Sequence, residues 1–155
     1  MKILKNIATG VLLIVCIQRS SAQSQTVPLN EPDYNKPKLF ADLPQKMTLD
    51  IAQLESLFSL PVGTAIDTQV SGSFRFQGTV VSKSDAQDPA VKSIVLRSSN
   101  RQGATFTFTK RTNGDGSSAY IGRMVSMKHG DAYELILENG AYILNKTGLY
   151  DLFSE

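Results

Sequence analysis

Asn139-Gly140 constrains this chain more than any other feature. Both residues tolerate a positive φ, and the dipeptide separates YELILE from AYILNK, so a two-residue type I′ hairpin is expected. The turn fixes the register. It sets Glu138 opposite Ala141, Leu137 opposite Tyr142, Ile136 opposite Ile143, Leu135 opposite Leu144, and Tyr133 opposite Lys146. Leu135, Leu137, Tyr142 and Leu144 then share one face, the expected core face, each worth about 1.5 to 3 kcal/mol if fully buried. The other face is mostly polar but carries the Ile136–Ile143 pair, which implies that something covers it.

The same reading extends upstream. Thr105 to Lys110 alternates threonine with Phe106 and Phe108, and Asn113-Gly114-Asp115-Gly116 ends that strand. Ala119 to Met127 forms the next, with Gly122 needing a bulge or a close neighbour to justify it. Ala65–Val70, Phe74–Lys83 and Lys92–Ser98 read as earlier strands, with a bulge expected at Gly78. Short connections join them, which favours an antiparallel meander.

Thr48 to Phe58 has the spacing of one helix, with Ile51, Leu54, Leu57 and Phe58 on a single face and Thr48 as N-cap. That stripe is expected to pack over the sheet and to cover Ile136 and Ile143. The fold class is therefore α+β, mainly β: an antiparallel meander of about six strands, as a curved sheet or small barrel, packed by one N-terminal helix. Leu149, Tyr150, Leu152 and Phe153 in the tail read as one helical turn or a covering strap.

The beginning of the chain reads as an export signal. Lys2 and Lys5 precede an apolar core from Ile7 to Ile17, and Ser20-Ser21-Ala22 offers the small residues that a signal peptidase recognises. Residues 1–22 are thus expected to be removed, leaving a chain of about 133 residues, enough for one domain. The apolar core is about half the length of a membrane-spanning helix, so no span is expected after cleavage. A lipoprotein reading through Cys16 is disfavoured because Val15 stands where such signals carry a small residue. Residues 23–46 hold Pro28, Pro32, Pro37 and Pro44 among polar residues and read as a flexible arm ahead of a single domain over 47–155. Leu39, Phe40 and Leu43 in that arm form a small apolar cluster expected to latch back onto the domain, in preference to a partner.

Cleavage removes Lys2, Lys5 and Arg19 from the 16 basic residues, leaving 13 against 14 acidic ones. Bulk charge gives no support to nucleic-acid or anionic-membrane binding. Chemistry could start only at the sole histidine, where His129, Asp131 and Glu134 lie within six residues. As a metal site that set lacks a second imidazole or any cysteine, and a tight turn explains Gly130-Asp131. No cofactor is expected. Asn113 to Gly116 lacks the ladder of acidic ligands and the closing glutamate of a calcium loop. Arg123 lies among bases that a mixed, solvated surface accounts for.

The signal ending SSAQ, the proline-rich arm and YIGRMVSMKHGDAYEL together resemble small exported proteins of unknown function from Bacteroidota-type bacteria. Phe76-Gln77-Gly78-Thr79-Val80 ahead of Ser93-Ile94-Val95-Leu96 is similar to the propeptides of secreted reprolysin-type zinc proteases. The second likeness implies a module that touches another exported protein. The expectation is a periplasmic or secreted, non-enzymatic binding or interaction module, with Leu39, Phe40, Arg123, His129 and Asp131 as candidate binding residues and another exported or envelope protein as partner. The alternatives are a small metal-dependent hydrolase centred on the His129/Asp131/Glu134 turn and a structural cell-envelope protein.

Overall fold

A computed structural model describes residues 35–84 and 88–153. The expected signal peptide and the first part of the arm lie outside the described residues. Eight strands run through the described chain: β1 (Lys46–Thr48), β2 (Ala65–Ser71), β3 (Phe74–Lys83), β4 (Val91–Ser98), β5 (Ala104–Thr112), β6 (Ser118–Ser126), β7 (Asp131–Glu138) and β8 (Ala141–Gly148). They form one antiparallel sheet in the order β1-β8-β7-β6-β5-β4-β3-β2. From β2 to β8 each strand pairs with the next, as a meander should. β1 returns to cover the edge of β8, and the sheet curls until its two end strands meet at a single Leu49–Ser71 bridge, beside an Asp50 N–H bond to the Val70 carbonyl at 3.1 Å. Register breaks at Gln69/Ser71 and Val80/Ser82 add local twist on that side.

Eight strands replace the expected six or so. The unforeseen one is β1, whose three residues are too few to show a period of two, and which forms because the exposed edge of β8 offers main-chain partners for Lys46, Met47 and Thr48. Alternation is clear in the long strands. Phe106 and Phe108, Ile94 and Leu96, Leu135 and Leu144 all point to the concave side and are buried there. They form one continuous core.

The β7–β8 hairpin has the expected turn, with Asn139 at φ 52° and Gly140 at φ 79°, and every pair falls in the expected register. One residue of the expected core face is not buried. Leu137 is 63% exposed, because the hairpin tip runs past the last layer of core side chains.

The helix, α1, spans Ile51–Ser56 and continues as a 3-10 turn over Leu57–Ser59. Its N-cap is Asp50, whose carboxylate accepts the Gln53 N–H at 3.0 Å, and not Thr48, which is held in the β1–β8 ladder opposite Ile143. Leu54 and Leu57 are buried and Phe58 stacks on Phe108 at 5.4 Å, so the apolar stripe does face the sheet. It faces the concave side. Ile136 and Ile143 lie on the convex side, where α1 cannot reach them, and the covering role expected of it there is wrong.

Residues 35–46, expected as part of a flexible arm, are built into the body. Phe40 is fully buried against Tyr133 with ring centroids 5.5 Å apart, and Leu43 is buried beside it. The packed body therefore starts ahead of residue 47. Gly78 is not a bulge but a point of close approach: a Cβ there would lie 2.2 Å from the Arg97 carbonyl oxygen of the neighbouring strand.

Candidate functional site

The connection from β6 to β7 places the only histidine. Gly130 adopts φ 66° and donates its N–H to the Ser126 carbonyl at 2.9 Å, which folds His129 back so that its Nδ1 lies 2.7 Å from Ser126 Oγ. Asp131 begins β7 with its side chain directed into the fold, 4% exposed, and its Oδ2 accepts the Phe40 N–H at 2.7 Å. Its Oδ1 is buried with no hydrogen-bond partner among the described residues. Glu134, an odd number of positions further along the strand, faces the other side of the sheet and pairs with Arg123 at 2.9 Å. The three side chains therefore do not converge. Among the described residues no three His, Cys, Asp or Glu side chains gather where a metal could sit.

At the end of the sheet near α1 stands a cluster that the sequence did not announce. Lys110 of β5 pairs across the ladder with Tyr120 of β6, and both donate to Glu55 Oε1 on α1, Lys110 at 2.5 Å. Tyr120 is stacked on Phe108 at 5.6 Å and meets the edge of Tyr142 at 5.0 Å. The hydrogen bond from Lys110, then that from Tyr120, holds the Glu55 carboxyl below its usual range, and Glu55 in turn raises Lys110. Burial, followed by the bond to Glu55, raises Tyr120. Each shift fixes a protonation state already normal at neutral pH, so the cluster ties helix to sheet rather than exchanging protons. Partners 55 and 65 residues apart leave no signal in any local pattern.

The opposite end is closed by the segment from Leu39 to Gln45, which we call the strap. Arg101, in the β4–β5 connection, binds both carboxylate oxygens of Asp42 at 2.7 and 2.6 Å and also donates to the Leu39 carbonyl at 3.0 Å. The Asp42 carboxyl is lowered by that guanidinium, and burial pushes the Tyr133 phenol up to about 12. Tyr133 donates to the Pro44 carbonyl and Lys146 to the Leu43 carbonyl, each at 2.5 Å. Of the candidate binding residues in the arm, Phe40 is thus interior and Leu39 half-buried. A cavity of about 340 Å³ adjoins the strap, lined by Lys38, Phe40, Gln45, Asp131 and Lys146 among others.

Arg123 lies on the convex face. Two residues from it Ile121 is 60% exposed, and along the same face Ile136 pairs with Ile143, both half-buried. The Arg123–Glu134 pair at 2.9 Å and the Lys46–Glu138 pair at 2.8 Å frame these isoleucines. Compared with protein-family models, with curated proteins and with solved structures, the chain matches none.

Proposed function

We infer that this chain is an exported, non-enzymatic interaction module whose convex face meets another exported or envelope protein. The observation that carries the reading is the apolar content of the convex face, where Ile136 pairs with Ile143 across β7 and β8, Ile121 stands exposed on β6, and two ion pairs lie on the same face. An apolar centre within a charged rim is the anatomy of a protein interface, and a sheet face serving only solvent has no use for it.

The test compares the wild-type chain with Ile121→Lys in recovery of a bound protein from the native exported fraction. A stoichiometric partner held by the wild type and lost by the variant, at unchanged thermal stability, is the expected result. Equal recovery by both, or no partner for either, overturns the reading.

A further inference from the structure

The strap is held in an unusual way for a segment that covers the end of a sheet. Four of its main-chain groups are bound by side chains rather than by a neighbouring strand: the Leu39 carbonyl by Arg101, the Phe40 N–H by Asp131, the Leu43 carbonyl by Lys146 and the Pro44 carbonyl by Tyr133. Between these clamps Phe40 and Leu43 fill two apolar sockets. Main-chain clamps with side-chain sockets at a fixed spacing are the means by which proteins read short peptides. The clamping residues come from the β4–β5 connection, β7 and β8, so the groove belongs to the body of the fold and not to the strap.

The strap also leaves part of the groove unused. Among the described residues Asp131 Oδ1 is buried without a partner, although its Oδ2 is engaged, and the cavity of about 340 Å³ opens beside Phe40 and Asp131. A carboxylate so deeply placed favours a second donor. We propose that this groove is a peptide-recognition site, occupied in cis by the chain's own strap, for a partner segment with an aromatic residue followed three positions later by leucine and proline. A donor group beside the aromatic residue, reaching Asp131 Oδ1, would let that segment outcompete the strap. The site is separate from the convex isoleucine face, and although a peptide site deepens the interaction-module reading, its assay does not involve Ile121, so the two fail independently.

The probe is a fluorescent peptide spanning residues 36–46 of this chain. A short tether gives the strap an effective concentration on the order of millimolar, so the wild-type chain should bind the peptide weakly. Phe40→Ala empties the cis socket, and binding should tighten by about 100-fold or more, judged from the loss on truncating a buried phenylalanine. The same peptide with alanine at its phenylalanine should not bind.

Because Phe40→Ala can also impair folding, a second form keeps the native strap: the full chain with a protease site inserted between Gln45 and Lys46, cut after folding. The proposal expects the strap to stay bound after cutting and to be displaced by added peptide in a dose-dependent way. Loss of the thermal transition on cutting, or a strap that the peptide never displaces, makes the segment a structural cover only and overturns the proposal.

Discussion

Replacing Phe40 by alanine separates a strap that belongs to the core from an arm that merely precedes it. Phe40 is 0% exposed, lies 5.5 Å from the Tyr133 ring, and is anchored through its own N–H to Asp131. Truncating a phenylalanine in such a site removes its transfer free energy and leaves a cavity, together about 3 to 5 kcal/mol. That is a large part of the roughly 5 to 15 kcal/mol by which a domain is stable. For a body of this size it corresponds to a fall in Tm of about 10 to 20 °C. The assay is paired thermal and urea unfolding, with Val62→Ala as control, since Val62 is 59% exposed and its loss should stay within about 0.5 kcal/mol. A lower urea midpoint is expected. A loss below about 1 kcal/mol would refute the packing described here.

Gly78→Ala should destabilise the chain by at least about 1 to 3 kcal/mol, because the new Cβ would lie 2.2 Å from the Arg97 carbonyl oxygen and must force β3 away from β4; a urea midpoint equal to wild type would show that the two strands are further apart. The depressed pKa of Glu55 predicts a stabilising contribution that is present above its ordinary value of 4.5 and lost as the pH falls through the lowered folded value. With that side chain about a third exposed, screening limits the effect to about 1 kcal/mol or less, and Glu55→Gln should flatten the acid limb of a stability-against-pH curve by that amount. A variant whose acid limb keeps the wild-type slope would show that the Lys110 pair contributes nothing.

What could be read in the sequence was what is local. A type I′ turn needs only two adjacent residues that accept positive φ, and once Asn139 and Gly140 supply them the pairing of β7 with β8 follows by counting. Phe106 and Phe108 alternate with threonines over a strand long enough to reveal its period. β1, with three residues, spans only one and a half periods. The helix was legible in its apolar stripe but not in its start, because Thr48 and Asp50 are both good caps and only the ladder to Ile143 decides which one is free. Asp131 and Glu134 looked like a cluster in the sequence, and the two-residue period of a strand sends them to opposite faces.

The strap shows what composition alone leaves open, while its apolar cluster packs onto the body as expected. Prolines and polar residues between positions 23 and 46 describe a segment that cannot fold by itself, and that inference stands for any segment with no partner. Here the partners lie about 60 to 100 residues away: Arg101 for Asp42, Asp131 for Phe40 and Lys146 for Leu43. Pro44 gives up no hydrogen bond by lacking an N–H, since its carbonyl is the group that Tyr133 binds. The absence of regular structure leaves the strap's main chain free to be held by side chains, which an equivalent segment from outside could engage in the same way. The features that made residues 39–45 look like a linker are therefore the ones that fit them to be exchanged.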